Sequence, residues 1–176
     1  RNVALIEFAL NMSISKLQIQ QKTPFLPLRG LKLANNLSTF KKNILLIPGA
    51  SHISKCYPLS KFAELTTLID ANFFVIWGNK KEKIMANKIK ELSNKVNVCN
   101  QLELDDLILL ISKVDLVIGA DTGPTHMAWA MNIPSITLFG PTPGYRNTYR
   151  TKINRIIESN SKVDPNKLDK NDNSIK

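Results

Sequence analysis

The stretch VDLVIGADTGPTHMAWAMNIPSITLFGPT, residues 114–142, decides the fold. Two apolar runs, VDLVIGA and PSITLF, stand on either side of a short segment that opens with Asp121, Thr122, Gly123 and Pro124. Both runs are continuous rather than alternating, as expected of strands covered on both faces in a parallel sheet. Proline at a first-turn position and the spacing of PTHMAWAMN read as a helix between them. A plain turn would need only one glycine and a capping residue, so the polar, backbone-bending chemistry at this junction calls for another reason.

Working outward, the same pattern recurs. NILLIPG at 43, NFFVIWG at 72, VNVCN at 96 and INRIIES at 153 are further short apolar runs that end in turn chemistry. Helix-like stretches lie between them, with Leu59, Phe62, Leu65, Leu68 and Ile69 in one and Ile84, Ile89 and Leu92 in the next, followed by LDDLILLISK. Strand and helix alternate, which predicts an α/β, Rossmann-like, doubly wound parallel sheet. Residues 1–43 do not share this rhythm; a helix over roughly 2–20 is expected there, then a proline-containing loop, QKTPFLPLRG. The nucleotide-binding unit is expected over 44–160, and 161–176 as a polar tail, either a short helix starting near Asp164 and Pro165 or a frayed end.

Composition narrows the function classes. The chain has 176 residues, enough for one domain with a real core, and no apolar run approaches the roughly 18–20 residues that span a bilayer. Glu7 interrupts the apolar opening RNVALIEFALNMS, and with no initiator Met the chain is expected to be a piece of something longer. Cys56 and Cys99 form no CxxC pair, which points away from a disulfide framework or zinc site and towards a reducing cytosol. The net charge of +10 divides as seven Lys/Arg against one acid in 1–43, eleven against nine in 44–150 and six against four in 151–176. The central domain is therefore near neutral and shows no basic recognition stripe. The basic leading segment suits an anionic membrane surface or a phosphorylated acceptor at least as well as nucleic acid, and ordinary solvated lysines equally.

In open α/β sheets ligands collect at the carboxyl ends of the strands, where helix N-termini offer amide hydrogens to anions. Four junctions qualify. In PGASHISKCYP, residues 48–58, a lysine and small hydroxyl residues stand where a diphosphate can be neutralised, although a polar loop with a surface lysine reads the same way. In WGNKKEK, residues 77–83, Glu82 can accept both hydroxyls of a ribose or simply favour the helix dipole. At Asp121–His126 the amides of Thr122 and Gly123 suit diphosphate oxygens. Asp121 would repel a diphosphate and is assigned to sugar hydroxyls or to capping. His126 can donate to phosphate or sugar, or be a buried histidine bonded to backbone. The fourth, FGPTPGYRNTYR at 139–150, is expected to shape the sugar end of the cleft. No GxGxxG, Walker lysine motif, GxSxG elbow or HExxH occurs, and Trp77 and Trp129 are expected in the core.

Taken together, PGAS…K…P, WG…E and DTGPTH.A.A…P…LFGPT resemble the carboxyl-terminal lobe of the lipopolysaccharide heptosyltransferases, glycosyltransferase family 9, over about residues 44–150. DTG and the spacing back to Lys55 are more similar to the type I enzymes, which add the first heptose to the Kdo residue of the inner core. The resemblance implies the donor domain of a GT-B fold with ADP-heptose against it. Ser51 and Lys55 would contact the diphosphate, with Ala50 beside them. Glu82 would hold the ribose and Leu102 lie along the adenine, while Asp121, Thr122, Gly123 and His126 gather around phosphate and heptose. Ala50 and Leu102 depart from the family pattern, leaving backbone or apolar contact there. The family's catalytic base is an Asp in the amino-terminal lobe, outside this sequence, so the resemblance implies no catalytic residue here and an inactive fragment. It further implies inverting transfer to Kdo-lipid A without a metal or other cofactor, by a cytoplasmic protein peripheral on the inner membrane and not bound to nucleic acid. Two rival readings stay open: a GT-B transferase for another nucleotide-sugar, and a non-catalytic Rossmann-like module binding nucleotide or nucleic acid.

Overall fold

The computed structural model describes residues 2–29 and 37–159. Six strands, β1 (Asn43–Ile47), β2 (Asn72–Val75), β3 (Val96–Val98), β4 (Leu116–Ala120), β5 (Ser135–Phe139) and β6 (Asn154–Glu158), form one sheet. The order is β3-β2-β1-β4-β5-β6 and every pairing is parallel. The six apolar runs are the six strands. This is the doubly wound arrangement, whose strand order reverses between β1 and β4. Leu46 lies opposite Ile118 and Ile47 opposite Gly119, so the carboxyl ends of these two strands finish level and side by side.

The sheet has a core on each face because successive side chains alternate. Leu45 and Ile47 of β1 turn to one face, packing with Phe74, Val117 and the helices α5 (Leu104–Lys113) and α6 (Gly123–Ala130). Ile44 and Leu46 turn to the other, with Phe73, Val75 and the helices α3 (Leu59–Leu68) and α4 (Lys80–Leu92). β1 is buried along its whole length, while edge strand β6 buries only Asn154, and among the described residues no further strand pairs with its far side.

Gly119 fixes how closely α6 approaches the sheet. A Cβ there would lie 2.6 Å from Thr125 Oγ1 and 2.7 Å from Ile47 Cβ, inside contact distance on both sides. Gly119→Ala is therefore expected to push α6 off β4 and lower stability by about 1–3 kcal/mol, read as a lower midpoint in urea unfolding.

The amino-terminal segment departs from expectation. In place of one helix over 2–20 there are two, α1 (Asn2–Leu10) and α2 (Lys16–Gln20). Asn11 has φ 46°, a left-handed conformation that ends α1. Ser15 then starts α2 with a capping box, accepting from Gln18 N while its own amide donates to Gln18 Oε1. The segment is tied to α6: Asn132, left-handed at φ 58°, donates from Nδ2 to Lys22 O at 2.7 Å. The Lys22 ammonium lies 4.1 Å from the centre of the Trp129 ring, and burial pushes its pKa below the usual lysine range. Trp129 is thus a half-buried platform rather than core, whereas Trp77 packs against the core as expected, its Nε1 donating to Cys99 O at 2.8 Å, with Lys83 4.7 Å from its ring centre. The polar tail and its expected helix lie outside the described residues.

Candidate functional site

The crevice between the ends of β1 and β4 gathers charge. After β1 the chain runs to a 3₁₀ turn at Ile53–Lys55, where Lys55 N donates to His52 O, and this places the Lys55 side chain across the crevice. After β4 comes Asp121, whose side chain is only 5% exposed. Lys55 Nζ donates to Asp121 Oδ2 at 2.7 Å, and His126 Nε2 stands 3.0 Å from Oδ1. Two further donors come from the loop after β5: Asn147 Nδ2 at 2.9 Å and Thr142 Oγ1 at 3.3 Å, both on Oδ2. Three donors thus converge on Oδ2 and one on Oδ1, on a carboxylate that offers about four lone-pair sites in all.

Burial alone would push the Asp121 carboxyl up. The hydrogen bonds from His126 and Lys55, with their charge, outweigh it and hold the group well below the usual carboxylate range. Asp121 is therefore an anion that only accepts, so the His126 Nε2 carries a hydrogen and donates it. Asp121 does not cap α6: the cap position is Thr122, which makes no side-chain bond to the helix, and the Asp121 oxygens face side chains. His126 is bonded to a carboxylate rather than to backbone, and its side chain is 35% exposed. The first turn of α6 keeps its amides uncapped beside the Lys55–Asp121 pair.

Around this centre lie three depressions. A cavity of about 350 Å³ brings together Gly49, Trp77, Glu82, Leu102, Thr122 and Pro124. Glu82 is held there by its backbone: Asn79 caps α4 by accepting from Glu82 N at 3.0 Å, and Glu82 Oε2 accepts from Gly78 N at 2.7 Å. Gly49 makes room for it, since a Cβ at that position would lie 2.6 Å from Glu82 Cδ. A second cavity, about 270 Å³, includes Lys55, Tyr57, Gly140 and Glu158. A third, about 430 Å³, includes Gly123, His126, Asn147, Trp129 and Tyr149. Ser51 is exposed and Ala50 half-buried on the β1 loop, and neither lines these three cavities. Glu82, Leu102 and Thr122 thus share one cavity, while Lys55, Asp121 and His126 form a bonded cluster beside it. Sequence reading noted the 139–150 loop but not Thr142 and Asn147, which follow Asp121 by 21 and 26 residues. Only the pairing of β4 with β5 brings them to it.

Fold and site together define a doubly wound α/β domain of the kind that takes its ligand at the topological switch point, with a lysine–carboxylate–histidine cluster at that point. The sequence profile of glycosyltransferase family 9 (heptosyltransferase) matches residues 1–174, and the chain belongs to that family. It is 43% identical over 146 residues to lipopolysaccharide heptosyltransferase 1 of Campylobacter coli, covering 77% of this chain and 43% of that protein. It is 33% identical over 127 residues to the lipopolysaccharide core heptosyltransferase OpsX of Haemophilus influenzae, covering 68% of this chain and 35% of that protein. The chain thus spans less than half the length of these relatives. Among solved structures it is similar to the E. coli heptosyltransferase WaaC with ADP, with a TM-score of 0.64 at 23% identity over 77% of this chain and 42% of that one. That likeness gives the fold, the GT-B type. No helix among the described residues is long and apolar enough to cross a membrane.

Proposed function

We propose that this chain is the donor-binding half of an inverting glycosyltransferase that transfers heptose from ADP-heptose to Kdo-lipid A in lipopolysaccharide synthesis. The observation that carries this reading is the meeting of Lys55, Asp121, His126 and the uncapped start of α6 in the crevice between β1 and β4. A solved relative was determined with ADP and again with ADP-2-deoxy-2-fluoro heptose, which supports a nucleotide-sugar as the ligand.

In this reading the cavity of Glu82 and Leu102 takes the nucleoside: the carboxylate accepts from ribose hydroxyls and the leucine lies against the base. Ser51 and the backbone at Ala50 reach the diphosphate from the β1 loop. The Lys55 ammonium has three hydrogens and gives one to Asp121, leaving two for diphosphate oxygens. Asp121 then does not repel the donor, because its charge is already met by Lys55 and by the His126 hydrogen. The amides of Thr122 and Gly123 approach the same oxygens, and the charge that develops on the departing diphosphate meets the ammonium and these amides. The base that deprotonates the acceptor belongs to the other lobe, so this chain alone is expected to bind the donor and turn over little or none. No cofactor is called for. Residues 1–43 are then the end of that lobe and the linker, 44–160 the nucleotide-sugar domain and 161–176 a tail. The basic excess of 1–43 faces the anionic acceptor or the cytoplasmic surface of the inner membrane, with no role for nucleic acid.

Calorimetric titration with ADP, UDP and GDP tests the reading. The chain is expected to bind ADP at least about tenfold more tightly than the other two, since ribose and diphosphate are common to all three and only the base pocket discriminates. A preference for UDP or GDP would reject ADP-heptose as donor. Tight, salt-dependent RNA binding without nucleotide affinity would reject the transferase reading.

A further inference from the structure

The 430 Å³ cavity beside the start of α6 has apolar walls and two side chains that also belong to the Asp121 cluster, His126 and Asn147. Asn147 is exposed, yet its position is fixed from several directions. It ends α7 (Gly144–Asn147), whose first amide donates to Glu158 Oε1 of β6 at 2.7 Å, and Thr148 N closes the turn on Gly144 O at 3.1 Å. One wall of the cavity is braced in the same way, by Trp129 Nε1 donating to Tyr149 O at 3.0 Å. The carboxamide itself is oriented by charge. Asp121 is an anion and accepts only, so the side of the amide that faces it must be the NH₂ group, at 2.9 Å. With the NH₂ group committed to Asp121, Oδ1 is the acceptor this carboxamide keeps, on a residue that lines the cavity. An acceptor held in this way costs a ligand hydroxyl less ordering than a free side chain would.

We infer that Asn147 is a sugar-reading residue: held by Asp121, its Oδ1 accepts a hydrogen bond from a hydroxyl of the transferred sugar lodged in this cavity. The inference rests on the proposed donor reading but adds a residue that reading did not need. It also predicts a division of labour, with the nucleotide held by the β1 and β2 ends and the sugar by the loop after β5. A site built to receive a hydroxyl discriminates against ligands that lack it, because its acceptor is otherwise left unpaired.

Titrations of the unmodified chain and of Asn147→Ala with ADP and with ADP-heptose separate the possibilities. The unmodified chain is expected to bind ADP-heptose more tightly than ADP, and Asn147→Ala to weaken ADP-heptose by about fivefold to tenfold while leaving ADP within about twofold. Asn147→Ser, which keeps a short acceptor, is expected to fall between the two. Equal weakening of both ligands would make Asn147 a support for Asp121 only, and no weakening of either would remove it from the site; both results overturn the inference. An unmodified chain that binds neither ligand would instead overturn the donor reading on which it rests. Asn147 is exposed, so a melting temperature close to that of the unmodified chain is expected; a fall matching that of Asp121→Ala would again assign it a supporting role only.

Discussion

Asp121→Ala is expected to lower the stability of this chain by about 3 kcal/mol at pH 7, a fall of roughly 10 °C in melting temperature for a domain of this size. The carboxylate is almost wholly buried, and four side chains lose their acceptor at once. Lys55, 13% exposed, is left as a nearly buried ammonium without a counter-charge. Breaking a buried pair by removing one partner costs about 3–5 kcal/mol, and the lower end applies because the lysine stem can swing towards water and Asn147 already reaches solvent. The pH dependence separates this from a packing effect. The folded carboxyl titrates below its unfolded counterpart, so it contributes stability that is fully present above the unfolded value, about 3.9, and is lost as pH falls below it. The stability gap between the unmodified chain and Asp121→Ala, measured by urea unfolding, should be constant from about pH 5 to 7 and narrow by up to about 1.4 kcal/mol per pH unit below 4. A gap that ignores pH would mean that the lost contacts are steric and that the charge contributes nothing.

The same residue shows how much of the site sequence carries. Asp121 was legible because a carboxylate at the end of an apolar run, followed by Thr-Gly-Pro, has no simple turn-forming purpose. Its partners were legible only in part. Lys55 and His126 stood at strand ends and helix starts, which the parallel-sheet rule picks out. Thr142 and Asn147 sat in a loop with several hydroxyls, amides and arginines of equal standing, and only the lateral order of the strands selects among them. That order is not written in hydrophobic periodicity, which reports how each strand is covered and not which neighbour it meets. For the same reason the six strands were legible as elements while the exposed outer side of β6 was not. The amino-terminal break was legible and overlooked: Ser15 followed by Gln18 is a capping box, and it marks a new helix start at a place where the apolar spacing alone runs on through Asn11. Trp129 misled because a large aromatic within an apolar helix reads as core, whereas Lys22, 107 residues earlier in the chain, lies over its ring.

Lys55→Ala is expected to weaken ADP binding by about tenfold, or about 1.4 kcal/mol. An exposed lysine on a phosphate would give less, since exposed ion pairs are worth about 0–1 kcal/mol, but this ammonium is largely out of water and already oriented by Asp121. Two effects then add in the variant. The diphosphate loses a donor, and Asp121 keeps its negative charge with only neutral Asn147 and Thr142 and the His126 hydrogen to offset it, so it now repels the ligand. The second effect is separable: replacing Asp121 as well removes the repulsion, and Lys55→Ala with Asp121→Ala should bind ADP more tightly than Lys55→Ala alone, provided the double variant is shown to be folded by its circular dichroism. The non-additivity measures the coupling between the two side chains across the crevice. AMP provides the control, because it lacks the second phosphoryl group that the ammonium is proposed to reach; its affinity should change by less than about threefold in Lys55→Ala. Raising the salt concentration should weaken ADP binding more in the unmodified chain than in the variant, as expected when one of the attracting charges has been removed. ADP affinity that is unchanged in Lys55→Ala, or lost equally for AMP, would take the ammonium off the diphosphate and leave it as the structural counter-charge of Asp121.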